Sequence, residues 1–183
     1  MSGGKIIFLH GASSSGKSHL ATALQDQLPE PFWHISIDKL RDHGVLPTAR
    51  FTNGDFDWRA HRDAFFEGYH QSLVAYARAG NNLIIEHIIE KPAWRPELAQ
   101  LFAPFDFFFV KVDCPLDVLI AREKARGDRP AGSAEQDFRA LHHGLVYDLD
   151  VDGTADTGTT VATIMDAWQN RTGQSRFFAN GTR

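Results

Sequence analysis

A chain of 183 residues, 43% of them hydrophobic, has the size and composition of one domain around one core. Its 19 basic and 23 acidic residues give a net charge of −4, which offers no electrostatic footprint for a nucleic-acid duplex or an anionic membrane, so small-molecule partners are expected. The single cysteine, Cys114, excludes an internal disulfide framework and a cysteine-based zinc site; with no apolar leader and no span-length apolar stretch, a cytoplasmic location is expected.

The first predicted element is the apolar strand Ile6–Leu9, which runs into Gly11-Ala12-Ser13-Ser14-Ser15-Gly16-Lys17-Ser18, a complete G-x-x-x-x-G-K-[ST] motif. Two glycines let the backbone wrap a phosphate closely, successive N–H groups form an anion nest, and a helix beginning near Gly16 adds its positive end. In such a loop Lys17 reaches the β- and γ-phosphates of ATP and the Ser18 hydroxyl ligates Mg²⁺.

Leu20, Ala23, Leu24 and Leu28 keep helical spacing until Pro29 and Pro31 stop it. Trp33 to Asp38 alternates as a short strand ending in a carboxylate, and Lys39 to Asp57 reads as a loop with one short helix at most. A long amphipathic helix fits Trp58 to Ala79, with Phe65, Phe66, Tyr69, Leu73, Tyr76 and Ala77 on one side and Gly80 as its stop. The run Asn82 to Glu86 has the pattern of a strand buried on both faces. Then come a helix over Trp94–Phe102, a strand over Phe105–Val112, a helix over Leu116–Arg126, a break at Gly127–Gly132, a helix over Ser133–His143, a strand over Val146–Val151 and a final helix over Thr159–Asn170. This alternation predicts a five-stranded parallel sheet with helices on both faces and ligands beyond the carboxyl ends of the strands.

Carboxylates that close strands therefore face the phosphate loop, and Asp38 and Glu86 do so. Each can accept a proton from an attacking hydroxyl or hold magnesium through water. Asp38 could equally be a helix N-cap, and one of Glu86, His87 and Glu90 a solvated strand end. Arg122, Arg126 and Arg129 surround the break at Gly127, where guanidiniums suit a lid over ATP; charges at a helix C-terminus are the simpler alternative. The nine histidines show no metal-ligand spacing.

Ala125-Arg126-Gly127-Asp128-Arg129-Pro130-Ala131-Gly132, then His142 or His143, Gly144, Tyr147-Asp148 and Val151-Asp152, together with the phosphate loop, Leu28-Pro29-Glu30-Pro31 and Ile37-Asp38, resembles the chloramphenicol phosphotransferase family. The resemblance covers Ile6 to the final helix. It implies a three-layer α/β/α P-loop fold of nucleoside- and shikimate-kinase type with a lid near 127–132, and ATP-dependent phosphorylation of a small-molecule hydroxyl, antibiotic modification being one form. It also implies Asp38 as general base, Arg126 against the adenine and Arg129 on the phosphates. The acceptor side is assigned to the segment 39–70 with Asp38, Glu86, His87 and Arg62. Where the antibiotic-modifying member of the family carries two aspartates this chain carries Glu86-His87, and Arg41, Arg50, Arg59 and Arg62 leave open an anionic or sugar-like acceptor in place of an apolar one. A zeta-toxin-like kinase of nucleotide sugars and a non-catalytic ATP-binding regulatory module are the other readings.

Overall fold

The computed structural model describes residues 3–127, 132–141 and 144–179. Strands β1 (Lys5–His10), β2 (Phe32–Ser36), β3 (Asn82–Glu86), β4 (Asp106–Asp113) and β5 (Leu149–Asp152) form one parallel sheet in the order β2-β3-β1-β4-β5. The helices are α1 (Lys17–Gln27), α2 (Ile37–Leu40), α3 (Thr48–Thr52), α4 (Trp58–Arg78), α5 (Trp94–Phe102), α6 (Leu116–Arg126), α7 (Ser133–Ala140) and α8 (Thr157–Asn170). Among the described residues no helix is long and apolar enough to cross a membrane.

Why β1 reads as an unbroken apolar run follows from its central place. Alternate side chains point to opposite faces, and both faces are covered: Ile6 and Phe8 pack with α4, α5 and Phe177, while Ile7 and Leu9 pack with α1 and α8. All four are 0% exposed, and each contributes about 1.5–3 kcal/mol of transfer free energy when fully buried. Because β1 lies between β3 and β4, the loop that follows it opens onto the middle of the sheet's carboxyl edge, where the crossovers diverge.

The structure differs from the sequence expectations at four places. First, β2 ends at Ser36 and Asp38 lies in the first turn of α2, because Ile37 to Leu40 already adopts helical geometry. Second, the stretch 39–57 is largely helical: an irregular turn over Arg41–Val45, broken at Gly44, leads to α3. Third, Tyr76, expected on the buried side of α4, is 41% exposed and packs against Trp33 at the sheet edge. Fourth, β5 begins only at Leu149, and α8 starts at Thr157 with Asp156 as its cap, the carboxylate accepting the Thr159 N–H.

Candidate active site

Gly16 precedes α1 with φ 102°, and Ser14 also has a positive φ of 67°, so the loop alternates between left- and right-handed residues and curls its amides inward. At Gly11 a side chain is impossible, since a Cβ would meet the Val112 carbonyl oxygen at 2.4 Å. The loop is therefore bent around a space that only main chain can border.

Several features fit that space to a polyphosphate. Lys17 is buried, and its ammonium donates to the Gly11 carbonyl at 2.8 Å and the Ala12 carbonyl at 2.7 Å, within reach of the loop's interior. The Ser13 and Ser14 hydroxyls are buried without a hydrogen-bond partner. An anionic oxygen already rests on the loop: Asp137 Oδ2, from α7, accepts the Ser13 backbone N–H at 2.9 Å, the place a phosphate oxygen would take.

Ser18 in the first turn of α1 donates its hydroxyl to Glu86 Oε1 at 2.8 Å, and Glu86 closes β3 with 6% exposure. It is not a solvated strand end. Burial pushes the Glu86 carboxyl up, but the hydrogen bond from His34, the Lys17 charge and the Ser18 hydroxyl together outweigh it and hold the group below the usual carboxylate value. One hydroxyl and one ionised carboxylate are the hard-oxygen donors that suit Mg²⁺, which keeps most of its shell for phosphates and water. The described residues contain no cluster of three or more His, Cys, Asp or Glu that could hold a metal ion.

Asp38 does not cap its helix. Ser36 occupies the cap position of α2, and the Asp38 carboxylate, two residues further on, pairs with Arg41 at 3.2 Å, so the N-cap alternative is ruled out. Its side chain stays 32% exposed and lines the same cavity as Lys17, Ser18 and Glu86. Arg62 lines it too, ion-paired with Glu90, its guanidinium 4.6 Å from the Phe66 ring centroid. Burial raises the Glu90 carboxyl although Arg62 opposes the shift. Of the four arginines expected near the acceptor only Arg41 and Arg62 line the cavity; Arg50 instead pairs with Asp55 and stacks on Phe56.

His87 is 1% exposed, with its Nε2 3.0 Å from Nε2 of His70 and its Nδ1 without a partner. Phe66, Tyr69 and Trp94 surround it. Burial, the adjacent His70 and the charges of Lys17 and Arg62 hold it neutral, well below the usual histidine value; burial brings His70 down to about 4.

At the opposite end Arg126 lines the cavity with Arg122 and Gly153. Arg129 and most of the expected lid, residues 128–131, lie outside the described residues, as do His142 and His143. What flanks that break is clear: Gly127 ends α6 with φ 64°, and buried Glu123 accepts the N–H of Gly132 at 3.0 Å and of Ala134 at 2.8 Å, tying the start of α7 to α6.

The cavity has a volume of about 1190 Å³ and two ends of different origin. The nucleotide end is assembled from the connections after β1, β4 and β5. The other end is drawn from the single stretch between β2 and the middle of α4, through Ile37, Trp58, Phe65 and Phe66, closed by His87, Ile88, Glu90 and Lys91. Three residues of the site carried no usable sequence signal: Asp137, Glu123 and His34. Glu123 offered at most a hint, an acid between Arg122 and Lys124 that only burial explains.

A parallel sheet of this order, a phosphate loop after its central strand and a cavity across its carboxyl edge define a P-loop kinase fold. Solved structures agree: the APS kinase CysC of Mycobacterium tuberculosis, in complex with AMPPNP and APS, superposes with a TM-score of 0.70 at 21% identity over 93% of this chain and 100% of that one. Shikimate kinase from Aquifex aeolicus gives 0.60 at 17% identity, over 90% and 96%. The chloramphenicol phosphotransferase-like family matches residues 4–169, and the chain belongs to that family. A Mycobacterium tuberculosis protein described as a candidate O-phosphotransferase is 29% identical over 171 residues, 83% of this chain and 76% of the relative.

Proposed function

We propose that this kinase transfers the γ-phosphoryl group of ATP to a hydroxyl of a small, uncharged alcohol with an apolar body. The observation that carries this reading is the continuity of the cavity: Arg126, the phosphate loop, Asp38 and the aromatic wall of Phe65 and Phe66 border one space. The names of the relatives, kinases and an O-phosphotransferase, support the same chemistry.

In this reading the loop amides from Ser13 to Ser18 and the Lys17 ammonium hold the β- and γ-phosphates, and Arg126 lies against the adenine, with Arg129 on the phosphates. Ser18, backed by Glu86, holds Mg²⁺, which when bound neutralises phosphate charge. Asp38 accepts the proton of the acceptor hydroxyl as its oxygen bonds to the γ-phosphorus; the bond from that phosphorus to the β-phosphate bridging oxygen breaks, and ADP leaves with the electron pair. The protein's contribution is placement and fixed charge.

The acceptor class follows from the walls. Both arginines that line this end are already neutralised, Arg41 by Asp38 and Arg62 by Glu90, whereas Ile37, Trp58, Phe65 and Phe66 present apolar surface. His87, with its unpartnered Nδ1, and Arg62 give an uncharged ligand polar groups to orient on. The test is ADP release against a panel of neutral aromatic alcohols (chloramphenicol included), sugars, nucleosides and anionic alcohols. Turnover confined to the neutral apolar members is expected; turnover of the anionic members alone would overturn the acceptor class, and ATP binding without turnover of any would favour a regulatory module.

A further inference from the structure

We propose that His34, itself held by Lys39, is a positioning residue for the metal-bearing end of the site: it sets the Glu86 carboxylate so that Ser18 turns a lone pair, and not its proton, towards the cation. This rests on the reading of Ser18 as a Mg²⁺ ligand given above.

The strand register brings the residues together. In the β2–β3 ladder Ser36 lies opposite Glu86 and His34 opposite Ile84, so with a side-chain period of two His34, Ser36 and Glu86 share one face, the face on which α1 packs. His34 reaches forward along that face until its Nε2 is 3.0 Å from Glu86 Oε2; the two side chains are 1% and 8% exposed. Its other ring nitrogen, Nδ1, lies 3.0 Å from the Lys39 ammonium. An ammonium only donates, so Nδ1 accepts, and the ring proton is fixed on Nε2, which donates to Glu86. The result is a chain of three hydrogen bonds running from exposed Lys39 through His34 to Glu86 Oε2, and from Oε1 of the same carboxylate to the Ser18 hydroxyl at 2.8 Å.

The terminal torsion of a glutamate is broad and weakly held by itself. With a donor on each oxygen the carboxylate plane is fixed, and Oε1 stays available as acceptor of the Ser18 proton. A serine hydroxyl that ligates a cation must send its proton elsewhere, and Glu86 Oε1 is the acceptor the structure supplies. Without His34, Oε2 becomes a buried acceptor with nothing to accept from, the carboxylate plane is free to turn, and Oε1 is no longer held for the Ser18 proton. Partners that orient ligands at one remove typically change metal affinity by about 10–100-fold when lost.

The first test needs neither nucleotide nor metal. In the full chain labelled with ¹⁵N-histidine, long-range ¹H–¹⁵N correlation should find the His34 ring protonated on Nε2 only; an Nδ1-protonated ring would overturn the proposal. The second test is calorimetric titration of ADP at stepped Mg²⁺ concentrations. His34→Leu should leave metal-free ADP affinity unchanged and raise the Mg²⁺ concentration for half-maximal enhancement by about 10–100-fold. His34→Gln, which keeps an N–H for Oε2, should recover most of the loss. Equal Mg²⁺ dependence in His34→Leu and wild type, or a His34→Gln variant as defective as His34→Leu, would reduce His34 to a packing residue. A wild-type chain whose ADP affinity ignores Mg²⁺ would instead remove the metal reading of Ser18, and the proposal with it.

Discussion

Asp137 Oδ2 accepts the backbone N–H of Ser13 at 2.9 Å, so α7 presses a carboxylate onto the phosphate loop where the proposed nucleotide needs a donor. Phosphate and carboxylate compete for one amide and repel one another. Asp137→Asn keeps an acceptor of the same shape and removes the charge, and ATP affinity should rise about fivefold. That is about 1 kcal/mol, the interaction of two unit charges about 4 Å apart in water. Calorimetry with ATP and with AMP separates the effect, since AMP does not reach the loop's far amides; equal gains for both would show that Asp137 acts elsewhere.

Lys17 is the buried cation of the loop. Lys17→Ala leaves the proposed phosphate charge uncompensated in a partly desolvated site, and about 2–5 kcal/mol of ATP binding should be lost, by the precedent of truncated buried charge pairs. Near-normal ATP affinity, measured by the same calorimetry, would contradict the phosphate-loop assignment.

For Asp38 the structure removes the capping role, because Ser36 holds the cap position. Asp38→Asn should therefore leave the melting temperature within a degree or two and lower kcat by about 10²–10⁴, the range of a lost general base. Single-turnover phosphoryl transfer is the measurement, and an unchanged rate would assign Asp38 only to its ion pair with Arg41.

Stability should fall with acid well before the carboxylates titrate. His70 is held at about 4 in the folded chain by burial, against 6.5 for a free histidine, so the unfolded chain binds the extra proton first. Stabilisation is complete above 6.5 and is lost as pH falls towards 4, amounting to about 3 kcal/mol across that window. Buried His87 acts in the same direction. Urea unfolding at pH 7, 6 and 5 should show the decline, and His70→Gln, which keeps a polar partner for His87, should flatten it.

How far these features could be read without coordinates depends on whether local pattern and tertiary partner agree. β1, β3, α4 and α5 were legible because their apolar periods match the faces they bury, and the phosphate loop because its spacing is a backbone requirement. The start of β5 was misread for a physical reason. Leu145 and Tyr147 are core residues, which gives the segment a strand-like alternation, yet Tyr147 is held by its hydroxyl on His10 and Asp148 takes the Phe109 N–H with its carboxylate, so side chains replace part of the ladder. The turn Arg176–Phe178, which seats Phe177 in the core at 1% exposure, gave no periodic signal because it is three residues long. Within the site, Asp137 and His34 were invisible since each is defined by a partner, Ser13 or Glu86, on another element.

The separate origin of the two ends of the cavity bears on how such an enzyme diversifies. In the proposed reading the groups that hold the nucleotide come from three separate connections of the sheet, after β1, β4 and β5. The proposed acceptor wall is nearly one uninterrupted passage of chain, Ile37 to Phe66, which packs through Ile37, Trp58, Phe65 and Phe66 on one face of the sheet. On the reading proposed above, changes confined to the cavity-facing side chains of that passage, with Asp38 kept, redirect phosphorylation to a new alcohol, because the groups assigned to ATP lie elsewhere in the chain.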